Sequence, residues 1–195
     1  MKKLAILDFD GTIYKGDSMR DYARYLNPTI YLFSIAVIVF PAIFSAIGVG
    51  SRDRIKRIFL RINFGRQTKG TMEEKGRAFF ELNKKRCFKK AVDWITENKA
   101  EMRIVIVSGS CHEWLQPFAD DFGVELICTE LAYDANGNCK GEWVDGNITG
   151  QDKVRVVKNA VDVQSFDEII AFGDQKSDAL LSEIASEFHM NYFRS

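Results

Sequence analysis

Three short apolar runs each stop at a polar, glycine-containing loop, and no other feature of the 195-residue chain restricts its fold as strongly. They are Leu4-Ala5-Ile6-Leu7 before Asp8-Phe9-Asp10-Gly11-Thr12, Arg103-Ile104-Val105-Ile106-Val107 before Ser108-Gly109-Ser110, and Ile169-Ile170-Ala171-Phe172 before Gly173-Asp174. A run of this length without alternation suits a strand covered on both faces, the mark of a parallel sheet. Helical patterns over His112 to Phe122, Asp152 to Val161 and Ser177 to Ala185 lie between or after the runs, with Ser177 expected as an N-cap. Strand and helix in alternation predict an α/β chain with a three-layer, Rossmann-like parallel sheet. Ligands of such sheets bind outside the carboxyl ends of the strands, so the three loops are expected to meet at one crevice.

About ninety residues separate the first two runs and read as helical over Ser18 to Leu26, Arg52 to Ile62 and Thr71 to Phe88, a candidate lid. The expected division is an α/β core of 1–14 and 89–195 with an inserted helical cap of 15–88. A β-hairpin is expected over Thr129 to Trp143, turning at Asn136-Gly137-Asn138. Within the insertion, Ile30 to Val49 carries no charge and could span a bilayer at 1.5 Å per residue. A single crossing would put Asp8 on one side and Ser108, Lys153 and Asp174 on the other. Basic residues flank both ends, Arg20 and Arg24 before and Arg52 and Arg54 after, so no orientation follows. The expectation is therefore two short helices meeting near Pro41 and packed within the cap. The alternative is peripheral membrane contact through residues 30–49.

Composition narrows the partners. With 27 basic and 27 acidic residues there is no electrostatic footprint for nucleic acid. The four cysteines, Cys87, Cys111, Cys128 and Cys139, form no CxxC pair, which predicts reduced thiols in a cytosolic setting and argues against zinc. The first residues reach Asp8 before a hydrophobic leader segment could form, so no signal peptide is expected.

The loops themselves carry chemistry. Asp8 and Asp10 can face a common site around Gly11, and two carboxylates so close need a cation or a shared proton. Asp174 and Asp178 add oxygen ligands of the hard kind that suits Mg²⁺. Ser108 and Gly109, with the amides after them, form a nest for phosphate, and Lys153 supplies a compact positive charge. Taken singly, each has an ordinary alternative: turn-forming acids, a helix-capping serine, a solvated lysine. Together, at the ends of three runs, they are the parts of phosphoryl transfer.

The chain resembles the haloacid dehalogenase-like hydrolases. Asp8-Phe9-Asp10-Gly11-Thr12 is similar to the first motif of that family, Ser108 after Val105-Ile106-Val107 to the second, Lys153 to the third and Gly173-Asp174-Gln175-Lys176-Ser177-Asp178 to the fourth. The insertion, together with Gly146 to Lys153 and the hairpin before it, looks like the phosphoserine-phosphatase-like branch. The resemblance implies a phosphatase acting on a small phosphomonoester. Asp8 would be the nucleophile that forms an aspartyl-phosphate, and Asp10 the acid and base. Mg²⁺ would be held by the Asp8 carboxylate, the Asp10 carbonyl and Asp174, with Asp178 supporting the ion from behind those ligands. Ser108, Gly109 and Lys153 would hold the phosphoryl oxygens. The dehalogenases lack the second acid of the first motif, so Asp10 points to phosphate.

For substrate recognition, Asp17 matches an acidic residue that grips the amino acid in phosphoserine phosphatases. The arginine partner would be one of Arg52, Arg54, Arg57 or Arg61, and Ser177 stands where that branch carries asparagine. A phosphatidylglycerophosphate phosphatase branch has a similar apolar cap segment, which gives a lipid phosphate at the inner membrane face as the alternative substrate. A phosphate-binding module without turnover is the reading from another class.

Overall fold

The computed structural model describes residues 1–46 and 52–194, and side chains outside 40–53. The three apolar runs become neighbouring parallel strands: β1 (Lys3–Leu7), β2 (Arg103–Cys111) and β6 (Glu168–Gly173). Two further parallel strands, β3 (Glu125–Thr129) and β7 (Glu187–Met190), complete a five-stranded sheet in the order β3-β2-β1-β6-β7. Neither outer strand was singled out in the sequence; both are short, and their residues are mostly half-buried or exposed. Because side chains alternate along a strand, β1 sends Ala5 and Leu7 to one face and Leu4 and Ile6 to the other. β2 does the same with Ile104 and Ile106 against Val105 and Val107.

Successive strands run from β1 outward through β2 and β3 on one side, and through β6 and β7 on the other. The order reverses at β1, so the crevice at its carboxyl end lies between the loops carrying Asp8 and Asp174. One face is covered by α7 (Gln151–Ala160), through Val154 and Val157. The other holds α5 (Lys89–Asn98) and α6 (His112–Phe122), the latter closed by Gly123 in the left-handed conformation. A two-stranded antiparallel sheet, β4 (Leu131–Tyr133) with β5 (Cys139–Trp143), forms the hairpin; Thr129 belongs to β3 instead.

Between β1 and β2 stand α1 (Ser18–Leu26), α2 (Pro28–Ala46), α3 (Arg52–Phe64) and α4 (Lys69–Asn83). The helix expected to reach Phe88 stops at Asn83 and passes through a 3₁₀ turn, Lys84–Arg86. The chain then returns to the sheet side, where Phe88 N–H donates to Ile13 O at 2.8 Å. The four helices do not stand apart from the sheet. Tyr22 stacks on Trp114 of α6 with centroids 4.8 Å apart, and Phe64 and Phe79 join the same buried aromatic cluster.

The uncharged segment departs from expectation. Its described part is one helix that continues through Pro41, not two meeting there; a proline removes one backbone donor but does not compel a break. Tyr31, Ile35 and Ile38 pack on the core, whereas Leu32 and Phe33 are 67% and 61% exposed. Residues 47–49 of that segment lie outside the described residues. Among the described residues no helix is long and apolar enough to cross a membrane.

Candidate active site

The pocket at the carboxyl ends of β1, β2 and β6 is lined by Asp8, Asp10, Asp17, Ser108, Gly109, Lys153, Asp174 and Asp178, but by none of the four candidate arginines among the described residues. Asp8 follows β1 directly, and its N–H donates to Phe172 O at 2.9 Å, so the sheet ladder fixes its position. Its carboxylate accepts from Lys153 Nζ and, at 3.2 Å, from Thr12 Oγ1. Burial pushes the Asp8 carboxyl up to about 6, against the opposing pull of Lys153.

Asp10 turns away from that pair. One of its oxygens accepts from the Ser18 N–H at 2.7 Å, the other from Ser110 Oγ at 2.6 Å. Burial first, and the neighbouring Asp17 carboxylate second, push it up to about 7. Ser110 thus links the first loop to the second. Ser110 also receives a hydrogen bond from Ser18 Oγ at 2.9 Å, while Ser18 Oγ accepts from Trp114 Nε1 at 3.2 Å. Neither Ser18 nor Ser110 was singled out beforehand, although Ser110 closes the Ser-Gly-Ser sequence that was.

The second loop differs from its expected form. Ser108, Gly109 and Ser110 do not leave the sheet: β2 carries on through them to Cys111, with a register shift against β3 between Ser108 and Cys111. Ser108 is buried yet lines the crevice together with Gly109 and Ser110, and Ser108 Oγ accepts from Ser110 N–H at 3.1 Å. Gly109 faces Ile148 and Asn147. A Cβ there would sit 3.0 Å from Ile148 O.

Lys153 donates to both Asp8 and Asp178, the latter at 2.8 Å, and all three side chains are buried. Burial pulls the ammonium down, but the two carboxylates outweigh it and the net displacement is upward. Asp178 opens a 3₁₀ helix, Asp178–Glu183, in place of the expected α-helix from Ser177, whose hydroxyl makes no capping bond. Asp178 instead braces the loop before the helix: its second oxygen accepts from the N–H groups of Asp174 at 3.3 Å and Gln175 at 3.0 Å. Asp174 accepts on Oδ2 from Arg194 Nη2 at 2.6 Å, while its Oδ1 is buried without a partner. Burial raises its carboxyl above the usual range, against the Arg194 charge.

Asp8, Asp174 and Asp178 each present an oxygen within 4.8 Å of the others. Carboxylates so grouped, one with an orphaned buried oxygen, fit a hard divalent cation.

Asp17 caps α1, accepting from Arg20 N–H at 3.0 Å, and borders the pocket. The expected arginine partner is not among the described pocket-lining residues. Arg61 pairs with Glu142, and Arg57 lies over the Trp143 ring at 5.5 Å; the side chain of Arg52 lies outside the described residues. The cation that α3 brings to the pocket is Lys56; with the Asn147 amide turned to satisfy both neighbours, Asn147 accepts from Lys56 Nζ at 3.0 Å and donates to Gly109 O at 3.1 Å. Nothing in the spacing of α3 distinguishes Lys56 from its charged neighbours.

The family model described as haloacid dehalogenase-like hydrolase matches residues 5–183. The chain belongs to this family. Among curated proteins no significant match was found. Among solved structures, a protein with unknown function from Bordetella pertussis Tohama I is similar at 19% identity and a TM-score of 0.83, over 96% of this chain and 89% of that one. A phosphoserine phosphohydrolase-like protein from Francisella tularensis is similar at 22% identity and a TM-score of 0.66, over 96% and 86%. A phosphoserine phosphatase with a phospho-aspartyl intermediate analogue is similar at 16% identity and a TM-score of 0.63, over 98% and 94%. These likenesses show the fold that the hydrolase shares with them.

Proposed function

We propose that this hydrolase is a Mg²⁺-dependent phosphatase that cleaves a small phosphomonoester through an aspartyl-phosphate on Asp8, with 15–88 as the cap over a core of 1–14 and 89–195. The observation that carries the reading is the division of labour between the two acids of the first loop. Asp8 is tied to Lys153 beside Asp174 and Asp178, whereas Asp10 is held apart by Ser18 and Ser110. The acid shielded from the lysine has its carboxyl pushed up to about 7, as a proton donor to a leaving oxygen requires. The structural likeness to a phosphoserine phosphohydrolase-like protein and to a phosphoserine phosphatase supports the same reading.

In this mechanism Asp8 attacks phosphorus in line while Asp10 protonates the departing ester oxygen; Asp10 then takes a proton from the water that attacks the aspartyl-phosphate, releasing phosphate and the free Asp8 carboxylate. Lys153, Ser108 and the amide of Gly109 hold phosphoryl oxygens as charge builds on them. The carboxylates of Asp8 and Asp174 and the carbonyl of Asp10 would hold Mg²⁺, with Asp178 behind them. When bound there, Mg²⁺ would supply positive charge against the repulsion between nucleophile and phosphate. Lys56 and Asp17, at the mouth, face the leaving group.

A second reading, a lipid phosphate as substrate, is favoured by one feature. Ile35, Ile38, Ile55 and Phe59 line an apolar groove that meets the pocket at Asp17, Met19 and Lys56. The experiment is phosphate release from O-phosphoserine, an aryl phosphate, other small phosphomonoesters and phosphatidylglycerophosphate, with and without Mg²⁺, beside Asp8→Asn. Release that needs both Mg²⁺ and Asp8 supports the mechanism, and the preferred substrate separates the readings. No release from any substrate overturns both in favour of a binding module.

A further inference from the structure

The segment after β7 turns back across the sheet end and is pinned along its length. Asn191 N–H donates to Gly173 O at 2.9 Å, and Tyr192 O accepts from Lys90 Nζ at 2.8 Å. Phe193, 2% exposed, stacks on Phe172 with centroids 4.9 Å apart and meets Trp94 at 6.1 Å. The next residue is delivered to Asp174, which lines the pocket. Arg194 Nε donates to Gly11 O at 2.8 Å and Nη2 to Asp174 Oδ2 at 2.6 Å. One guanidinium therefore joins the loop after β1 to the loop after β6, the two that flank the crevice.

The contact has a direction. Arg194 occupies one oxygen of Asp174 and leaves the other, Oδ1, buried and without a partner in a group of three carboxylates. Asp174 alone would be free to rotate away from Asp8 and Asp178, whose charges repel it. The rigid guanidinium sets one donor on Gly11 O and another on a single oxygen of Asp174, so the contact to Asp174 is tied to a fixed backbone point in a way that the one flexible ammonium of a lysine does not reproduce. Gly11 makes room for the arrangement. Its φ is +78°, and a Cβ there would fall 2.2 Å from Asp174 Oδ2 and 2.6 Å from Arg194 Nη2.

We propose that Arg194 is the positioning residue of the cation site: it holds Asp174 so that Oδ1 faces the ion, and it ties the Gly11 loop to the same frame. The proposal rests on the reading of the acid cluster as a divalent-cation site and does not depend on which ester is hydrolysed. Groups that orient a metal ligand from behind typically change affinity by about 10–100-fold when removed.

The test is Mn²⁺ titration of the full chain after chelator treatment, followed by electron paramagnetic resonance and repeated with Mg²⁺ by calorimetry. Arg194→Ala is expected to weaken binding by about tenfold or more, and Arg194→Lys to fall between it and the wild type. Arg155→Ala, which removes an exposed pairing with Asp152, is the control and is expected to bind like the wild type. Melting without metal separates the two effects, because Arg194→Lys is expected to keep the wild-type melting temperature while still binding the ion less tightly. Affinity unchanged in both Arg194 variants overturns the proposal. So does tighter binding, which would make Arg194 a competitor for the ion's place, and so does a wild type that binds neither ion. Binding that depends on Arg194 in a protein that releases no phosphate would sink the phosphatase reading and leave this one standing.

Discussion

Lys153 reaches Asp178 at 2.8 Å in the same buried position from which it touches Asp8, so one ammonium stands between two carboxylates carried by different loops. Removing one member of a buried ionic group leaves an uncompensated charge, at a cost of about 3–5 kcal/mol. Lys153→Ala is therefore expected to lower the melting temperature markedly in metal-free buffer. Saturating Mg²⁺ should recover part of the loss by supplying positive charge to Asp8 and its neighbours. Thermal melting with and without the ion measures both effects. A variant that melts like the wild type without metal would refute the placement of this lysine.

Gly11 sits where only a residue without a side chain fits. Gly11→Ala combines a left-handed φ with a Cβ driven into Asp174 and Arg194, and strain of this kind costs about 1–3 kcal/mol. It is expected to lower stability by that order and to weaken Mn²⁺ binding together with it. Chemical denaturation and metal titration of the same sample check the two.

Asp10→Asn should separate chemistry from metal binding, since the proposed ligand at this residue is its carbonyl and not its side chain. Phosphate release is expected to fall by about 10²–10⁴. Mg²⁺ affinity should stay near the wild-type value. A parallel loss of affinity would show that the side chain serves the ion.

A further prediction concerns Glu113, on the first turn of α6 and 5% exposed. Tyr133 OH donates to one of its oxygens at 2.6 Å, and the other has no partner. Burial raises its carboxyl above the ordinary 4.5, which Tyr133 only partly opposes. The folded state therefore binds the proton more tightly than the unfolded chain. Its contribution is complete below pH 4.5 and is lost as pH rises through the folded value. Glu113→Gln cannot ionise, so it should lose less stability than the wild type between pH 4.5 and 8. Denaturant midpoints across that range give the comparison.

The parts of this protein that could be read from its sequence are those where one short run of residues decides the outcome. β1, β2 and β6 announce themselves because both faces are buried, and Asp8, Asp10 and Asp174 are found because each follows such a run within three residues. What escaped detection depends on distant partners. Arg194 meets Gly11 from 183 positions away, and Lys56 is chosen from a charged helix by its contact with Asn147. The 3₁₀ helix at Asp178 was read as α because local spacing does not show that the Asp178 side chain turns back to the loop amides of Asp174 and Gln175. α2 was divided at Pro41 because propensity alone sets no limit on what neighbouring helices hold together.

The stacking of Tyr22 on Trp114, with Phe64 and Phe79 around them, also bears on how substrate enters. A lid swings freely only when its seam is wet and thinly packed. Here the seam is a dry aromatic cluster shared with α6, and parting it would bring several large rings into water at about 25 cal/mol for each Å² uncovered. Entry is then a matter of threading a fixed doorway framed by Asp17, Met19 and Lys56. On the proposed function, the width of that doorway, more than any hinge, sets which phosphate esters arrive at Asp8.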